Sequence, residues 1–215
     1  MPILSYVYIA VGAYLLGSVP TGYLAGRARG IDIRTVGSGN MGATNVFRTL
    51  GKTAGVVVLV ADGLKGYTAC AWLCDAALRW LNISSSDTEL YRIVAGVAAV
   101  LGHNFTCWLR FKGGKGIATS AGVFLALAPA AVGLALGVWM IVFALSRYAS
   151  VASIAAALAL PAAVWILPPR HLLLGIVTTA LGLLAIAKHK GNIERLFRGT
   201  ERRFGEKSTT PEATK

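Results

Sequence analysis

Apolar residues fill six long runs of this chain, 3–26, 53–81, 90–109, 117–145, 151–167 and 171–187, and the polar residues are confined to the connections between them. Runs near the roughly 20 residues that carry a helix across a bilayer predict an all-α integral membrane protein. The basic residues then test how many times the chain crosses. Arg27, Arg29, Arg34, Arg48 and Lys52 follow the first run, and Arg110, Lys112 and Lys115 follow the third. Lys188, Lys190, Arg195, Arg198, Arg202, Arg203 and Lys207 follow the last. Lys and Arg accumulate in cytoplasmic connections, so all three clusters should share the inner side. Two runs separate the first two clusters, as required, but three separate the second from the tail.

One more crossing removes the conflict, and Pro129 within 117–145 is where it would fall. Each half is then about fourteen residues and roughly 21 Å long at 1.5 Å per residue. That is short of a hydrocarbon core of about 30 Å, so thinning or partial insertion accompanies the split. The rival is one tilted helix kinked at the proline. Charge sidedness favours the split and gives about seven transmembrane helices, an outside N-terminus and a cytoplasmic C-terminus. Arg147, in S-R-Y-A-S, also falls inside. A single polytopic domain over 1–207 and a polar, disordered tail over 208–215 are expected. The first run lacks a basic leader and is long enough to span, so it reads as a helix rather than a cleaved signal.

Composition agrees. The chain is 55% hydrophobic and 14% charged, with mean hydropathy +0.63, against about 25% charged in an ordinary soluble domain. The charge is basic, 21 Lys and Arg against 9 Asp and Glu, yet no polar domain concentrates it as nucleic-acid binding requires. No nucleic-acid partner is expected; the partners are small anions and membrane lipid. Cys70, Cys74 and Cys107 lie in apolar runs without a His or Asp cluster, so they read as small buried side chains and not as metal ligands. No metal and no cofactor are expected.

The chemistry sits in four connections that this topology brings to the cytoplasmic face. Residues 34–53, R-T-V-G-S-G-N-M-G-A-T-N-V-F-R-T-L-G-K-T, contain G-x-G-x-x-G in Gly37, Gly39 and Gly42. A dinucleotide fold needs a buried strand before these glycines; a short polar connector precedes them. Gly51-Lys52-Thr53 has the ending of a P-loop, but Val46 stands where that loop needs glycine. What survives is a turn whose glycines let backbone N–H groups approach an anion. A helix is predicted to begin there, capped by Ser38 or Asn40. It would present Asn40, Thr44 and Arg48 on one stripe with Asn45 adjacent; an ordinary amphipathic connector is the competing account.

The second connection, G-H-N-F-T-C-W-L-R-F-K-G-G-K-G-I-A-T-S, sets Lys112 and Lys115 around Gly113 and Gly114 before a helix, which suits phosphate neutralisation. Topology-setting charge is the alternative. His103 reads equally as a structural or a catalytic histidine. The third, A-K-H-K-G-N-I-E-R-L, offers His189, Asn192 and Glu194; His189 and Glu194 share the spacing of the His-x4-Asp pair found in some acyltransferases, although the acid here is Glu and the surrounding chain differs. Beyond it, the arginines form a surface attractive to anionic headgroups. Ser150 and Ser153 open a helix near Arg147 and can bind an anion or simply cap. Asp62 and Lys65, three residues apart in the second run, form a self-neutralising pair placed outside the reaction centre.

G-S-G-N-M-G-A-T-N-V-F-R-T-L-G, G-H-N-F-T-C-W-L-R-F-K-G-G-K-G-I-A-T and H-K-G-N-I-E-R-L resemble, in order, the three cytoplasmic motifs of the PlsY family, the bacterial acyl-phosphate:glycerol-3-phosphate acyltransferases. The resemblance covers nearly the whole chain. It implies a seven-helix enzyme of the bacterial inner membrane with a cytoplasmic active site. The reaction it implies is transfer of an acyl chain from acyl phosphate to the 1-hydroxyl of sn-glycerol 3-phosphate. The products would be 1-acyl-sn-glycerol 3-phosphate and phosphate, the first step of phospholipid synthesis, with functional coupling to an acyl-phosphate-forming enzyme. Carried over to this sequence, Ser38, Thr44, Asn45 and Arg48, then Lys112 and Lys115, would bind phosphate. Ser150 or Ser153 would add a hydroxyl, and His189, Asn192 and Glu194 would surround the acceptor. Ser38, Arg48, Lys115 and His189 are the expected catalytic set. The base is either His189 or the leaving phosphate. Polar Asn104 and Thr106 depart from the family pattern and leave the role of His103 open. A transporter of small phosphorylated anions is the alternative; it calls for a midplane site and often internal repeats, whereas the motifs share one rim. A non-catalytic lipid-binding scaffold would explain the arginines but not the glycine turns.

Overall fold

The structure is a computed structural model describing residues 2–83, 88–169 and 171–206; the expected tail at 208–215 lies outside the described residues. Helices α1 (Pro2–Ser18) and α2 (Thr21–Arg27) come from the first apolar run, parted at Val19-Pro20. Proline has no N–H to continue the ladder and restricts the residue before it. Helix α3 (Ala43–Leu50) follows a long connection. Helix α4 (Lys52–Thr68) passes through a wide turn (Ala69–Leu73) into α5 (Cys74–Trp80). Helix α6 (Thr88–Asn104) precedes the glycine loop, and α7 (Ile117–Leu127) leaves it.

The run 117–145, interrupted by Pro129, forms two helices. Ala128 breaks from helical geometry at φ −148°, ψ 66°, and Pro129 starts α8 (Pro129–Ser146) at its first turn, where a missing N–H costs nothing. Helices α9 (Ala149–Ile166), α10 (Leu172–Lys188) and the short α11 (Lys190–Phe197) complete the chain; α11 bends 52° away from α10. Among the described residues, five helical segments are long and apolar enough to cross a membrane. The α10–α11 pair would make a sixth, and α7 is a shorter apolar helix.

The outward faces are apolar where a soluble protein would be polar: Val57, Leu134, Ile141 and Leu145 are exposed, since hydrocarbon tails are as apolar as leucine and carry no penalty. Polar side chains turn inward instead, with Asp62, Lys65, His103, Asn104, Thr119 and Thr178 all buried. Helix α1 packs along α6, α4 along α7, and α9 between α8 and α10. The α4–α7 crossing depends on glycine: a Cβ on Gly66 would collide with the Thr119 carbonyl, and one on Gly122 with that of Gly63. Small residues allow such close backbone approach in membranes, and here it fixes the start of α7 against α4.

After α11 the chain reverses at Gly199 (φ +66°) and runs back as a strap over 200–206. Phe204 N–H donates to the Arg147 carbonyl at 2.8 Å, and its ring centroid lies 4.8 Å from Phe47 and 5.3 Å from Phe143. The strap therefore ties the α8–α9 turn to α3.

Candidate active site

A cavity of about 360 Å³ opens between α3, the loop before α7, and helices α4, α7, α8, α9 and α10. One end is polar, with Ser38, Asn40, Thr44, Arg48, Lys115, Ser150, His189, Asn192 and Glu201 in its wall. The other end is a groove of Phe124, Val132, Leu136, Ala156, Leu160 and Leu181.

The α2–α3 loop is shaped by Asn45, which is buried. Its Oδ1 accepts from Ser38 N–H at 2.9 Å, and its Nδ2 donates to the carbonyls of Ile33 and Val36, each at 3.1 Å. Gly37, at φ +62°, leaves room for that amide. Helix α3 starts later than the sequence suggested. Its cap is Gly42, and neither Ser38 nor Asn40 caps it; Asn40 Oδ1 accepts from Gly42 N–H at 2.8 Å and closes a local turn instead. Thr44 and Arg48 face the cavity one helical turn apart. Arg48 Nη2 donates to the Arg202 carbonyl at 3.0 Å, while its buried Nε has no hydrogen-bond partner among the described residues. Burial pushes this guanidinium below its ordinary pKa, with Glu201 opposing the shift and Arg202 and Arg195 adding to it.

Lys115 Nζ donates to Asn192 Oδ1. Burial, opposed by Glu201 and reinforced by Arg195 and Arg48, lowers its pKa to about 8. Asn192 Nδ2 in turn donates to Glu201 Oε1 at 2.7 Å. Ser150 Oγ donates to the same oxygen at 2.8 Å, and Arg195 Nε to Oε2 at 2.7 Å. Burial alone would raise the Glu201 carboxyl, but the hydrogen bonds from Asn192, Ser150 and Arg195, with the Arg195 charge, hold it below its ordinary value. His189 sits past the end of α10. The carbonyl of Ala185, 2.8 Å from Nδ1, can only accept, so Nδ1 carries the proton and Nε2 of the neutral ring is left as acceptor. Burial and the Lys115 charge depress its pKa to about 4, against the Ala185 bond and Glu201.

Of the residues expected from the sequence, Ser38, Asn40, Gly42, Thr44, Asn45, Arg48, Lys115, Ser150, Ser153, His189 and Asn192 line this one cavity. Gly37, Gly39, Lys112, Gly113, Gly114 and Glu194 do not. Lys112 and Glu194 are exposed. Gly113 and Gly114 donate their N–H groups to the carbonyls of Asn104 (3.2 Å) and His103 (3.0 Å), closing the end of α6 instead of facing an anion. The carboxylate that meets Asn192 and Ser150 is Glu201, which the sequence reading missed. Asp62, placed outside the reaction centre in that reading, and His103, whose role it left open, also line the cavity.

A bundle with apolar outer faces, enclosing cations at one end of an apolar groove, is an integral membrane protein built to hold an amphiphilic anion. Comparison with known proteins gives the family. Residues 7–199 match the family model described as glycerol-3-phosphate acyltransferase. The glycerol-3-phosphate acyltransferase of Geobacter metallireducens is 52% identical over 198 residues, covering 92% of this chain and 97% of that protein. That of Geotalea daltonii is 44% identical over 200 residues, covering 93% and 98%. The crystal structure of PlsY (YgiH), an integral membrane glycerol 3-phosphate acyltransferase, in its glycerol 3-phosphate form, superposes with a TM-score of 0.83 at 38% identity, covering 94% of this chain and 96% of that one. Its lysophosphatidic acid form gives 0.79 at 37% identity, with the same coverage. The chain belongs to the PlsY family of glycerol-3-phosphate acyltransferases.

Proposed function

We propose that this protein transfers an acyl chain from acyl phosphate to the 1-hydroxyl of sn-glycerol 3-phosphate, releasing 1-acyl-sn-glycerol 3-phosphate and phosphate. The observation that carries the reading is the continuity of cationic mouth and apolar groove in one cavity: Arg48, with a buried unused N–H, and Lys115 lie at the head of a groove lined by Phe124, Leu136 and Leu160. Acyl phosphate needs both ends at once.

The attacking oxygen of the acceptor adds to the acyl carbonyl carbon, and the bond from that carbon to the phosphate oxygen breaks. Phosphate leaves with the electron pair, and the hydroxyl proton passes to phosphate or to His189 Nε2. Phosphate is a competent leaving group, so no acylated residue is required. The site's work is to hold two mutually repelling phosphates and to bring the hydroxyl to attack distance, which half-buried Arg48 and Lys115 do while also stabilising charge that builds on the carbonyl oxygen. In this reading the chain crosses the inner membrane seven times, α7 and α8 being separate crossings. The N-terminus lies outside, and the cavity mouth opens to the cytoplasm, where an acyl-phosphate-forming enzyme supplies the donor.

The test is phosphate release by purified protein given acyl phosphate, with and without glycerol 3-phosphate. Acceptor-dependent release equal to lysophosphatidic acid formed is expected. Release without acceptor, or none at all, overturns the assignment.

A further inference from the structure

The reaction as described leaves one polar part of the cavity wall without a task. Asp62 on α4 and His103 near the end of α6 are 2% and 3% exposed, and both line the cavity. Asp62 Oδ1 accepts from Thr21 Oγ1 at 2.5 Å and pairs with Lys65 Nζ at 2.8 Å, while Lys65 also donates to the Val19 carbonyl at 2.9 Å. That pair is complete without the histidine. His103 Nδ1 nevertheless lies 3.5 Å from the same carboxylate oxygen, buried and with no hydrogen-bond partner among the described residues. The ring's other edge meets the loop that carries Lys115: a Cβ at residue 114 would collide with Nε2, and only glycine admits the imidazole there.

A buried ionisable group inside a membrane bundle is costly and is kept where it has a partner or a ligand. Nδ1 is turned to Asp62, so the ring nitrogen left to meet a ligand is Nε2, on the edge beside Gly114. The acceptor of the reaction brings three polar handles into a cavity whose wall on α4 and α7 is mainly apolar, at Leu59, Ile117, Ala121 and Phe124, with Ser120 its other polar residue. Its phosphate goes to Arg48 and Lys115, and its reacting hydroxyl to the His189 end. The second hydroxyl needs a partner as much as the imidazole does.

We propose that the His103 imidazole, oriented by Asp62, binds the non-reacting C2 hydroxyl of glycerol 3-phosphate and so selects a phosphorylated diol over a phosphorylated mono-alcohol. This rests on the acceptor assigned above. Thr21 and Lys65 act behind it as positioning residues, holding the carboxylate in place. Gly114 keeps the loop clear of the ring.

The experiment compares glycerol 3-phosphate with 3-hydroxypropyl phosphate, which keeps the phosphate and the reacting hydroxyl but lacks the second one, in the full-length purified protein with one acyl phosphate donor. A site built to hydrogen-bond a hydroxyl rejects the analogue lacking it, so kcat/KM should be about 30-fold lower or more for 3-hydroxypropyl phosphate. In His103→Leu the two acceptors should come within about threefold of each other, by loss on glycerol 3-phosphate alone. His103→Gln should retain part of the preference, and Thr21→Val, which releases Asp62, should narrow it as well. A merely structural histidine would lower both acceptors equally. Equal use of both acceptors by the unmodified protein overturns the proposal while leaving the transferase standing. So does a preference that survives unchanged in Thr21→Val and in whichever His103 variant folds. No acylation of glycerol 3-phosphate by the unmodified protein would instead overturn the function itself.

Discussion

Replacing Lys115 by methionine should make the protein more stable and nearly inactive. The ammonium group is buried beside Arg48 and Arg195, and its pKa falls from 10.5 to about 8. At 1.36 kcal/mol per unit, the charged form is disfavoured by about 3 kcal/mol relative to an unfolded lysine. The unfolded chain keeps this proton up to pH 10.5, while the folded chain loses it near pH 8. Between those values the unfolded state holds more protons, so stability rises with pH through that window; below pH 8 the whole penalty stands. Methionine keeps the apolar stem and removes the charge. It leaves Asn192 Oδ1 without its donor, a loss of about 1 kcal/mol. The net gain near pH 7 is about 2 kcal/mol, or an increase in Tm of about 5 °C for a chain of this size.

Cys70 and Cys74 are fully buried free thiols, so a thiol-reactive fluorophore reports unfolding in detergent directly. Two further signatures follow from the same charge. Inorganic phosphate should raise the Tm of the unmodified protein and leave Lys115→Met unmoved, since binding an anion repays the desolvation of the cation. Turnover in Lys115→Met should fall by about 100- to 1,000-fold, the range for losing a preorganised electrostatic stabiliser. In the unmodified protein kcat/KM should decline above pH 8 while stability still rises. A Lys115→Met protein that melts below the unmodified one, together with a flat Tm between pH 7 and 10 in the latter, would refute the reasoning.

Arg48→Ala should abolish turnover while the protein still inserts and accumulates in the membrane; normal activity in both Arg48→Ala and Lys115→Ala would rule out the phosphate clamp. Glu201→Gln should move the basic limb of the kcat/KM profile below pH 8, because Glu201 is the group that raises the Lys115 pKa, and pH-resolved initial rates would show an unmoved limb if the carboxylate were remote. Ala156→Phe narrows the apolar groove and should favour shorter donors. Shutting out four methylenes at about 0.8 kcal/mol each costs about 3 kcal/mol, or a roughly 100-fold loss for palmitoyl against lauroyl phosphate, and an unchanged ratio would show that the chain lies elsewhere.

The helices were legible because a membrane imposes one rule on long stretches of chain, and the sidedness of Arg and Lys exposed the break at Pro129 that hydropathy alone conceals. The polar end of the cavity was legible in the residue types that meet there, Arg48, Lys115, His189 and Asn192. The errors were of direction and of distance along the chain. Glycine N–H groups near lysines looked free for an anion, but α6 ends at Asn104 with unpaired carbonyls, and Gly113 and Gly114 close them. Glu194 matched a spacing, yet it lies on the exposed side of α11. The carboxylate that enters the site arrives seven residues later, after a left-handed turn at Gly199 that no periodicity announces. Asp62 and His103, 41 residues apart, become neighbours only through the packing of α4 against α6.

These placements share one electrostatic logic. Arg48, Lys115 and Arg195 converge around the carboxylate of Glu201, and with His189 neutral this end of the cavity carries an excess of partly buried positive charge. Taking cations out of water weakens the fold, and Lys115 records that cost in its lowered pKa. In the proposed reaction, two phosphates entering together reverse the balance: they repel each other in water, but here they meet cations partly stripped of solvent, where the attraction is stronger than in water. Glu201 keeps the empty site tolerable. Its bonds to Ser150, Asn192 and Arg195 hold the carboxylate at one side, so an incoming phosphate gains Arg48 and Lys115 without having to displace it. A site of this kind is stabilised by its substrates more than by its own contacts, which is why the same lysine should govern melting and turnover in opposite directions.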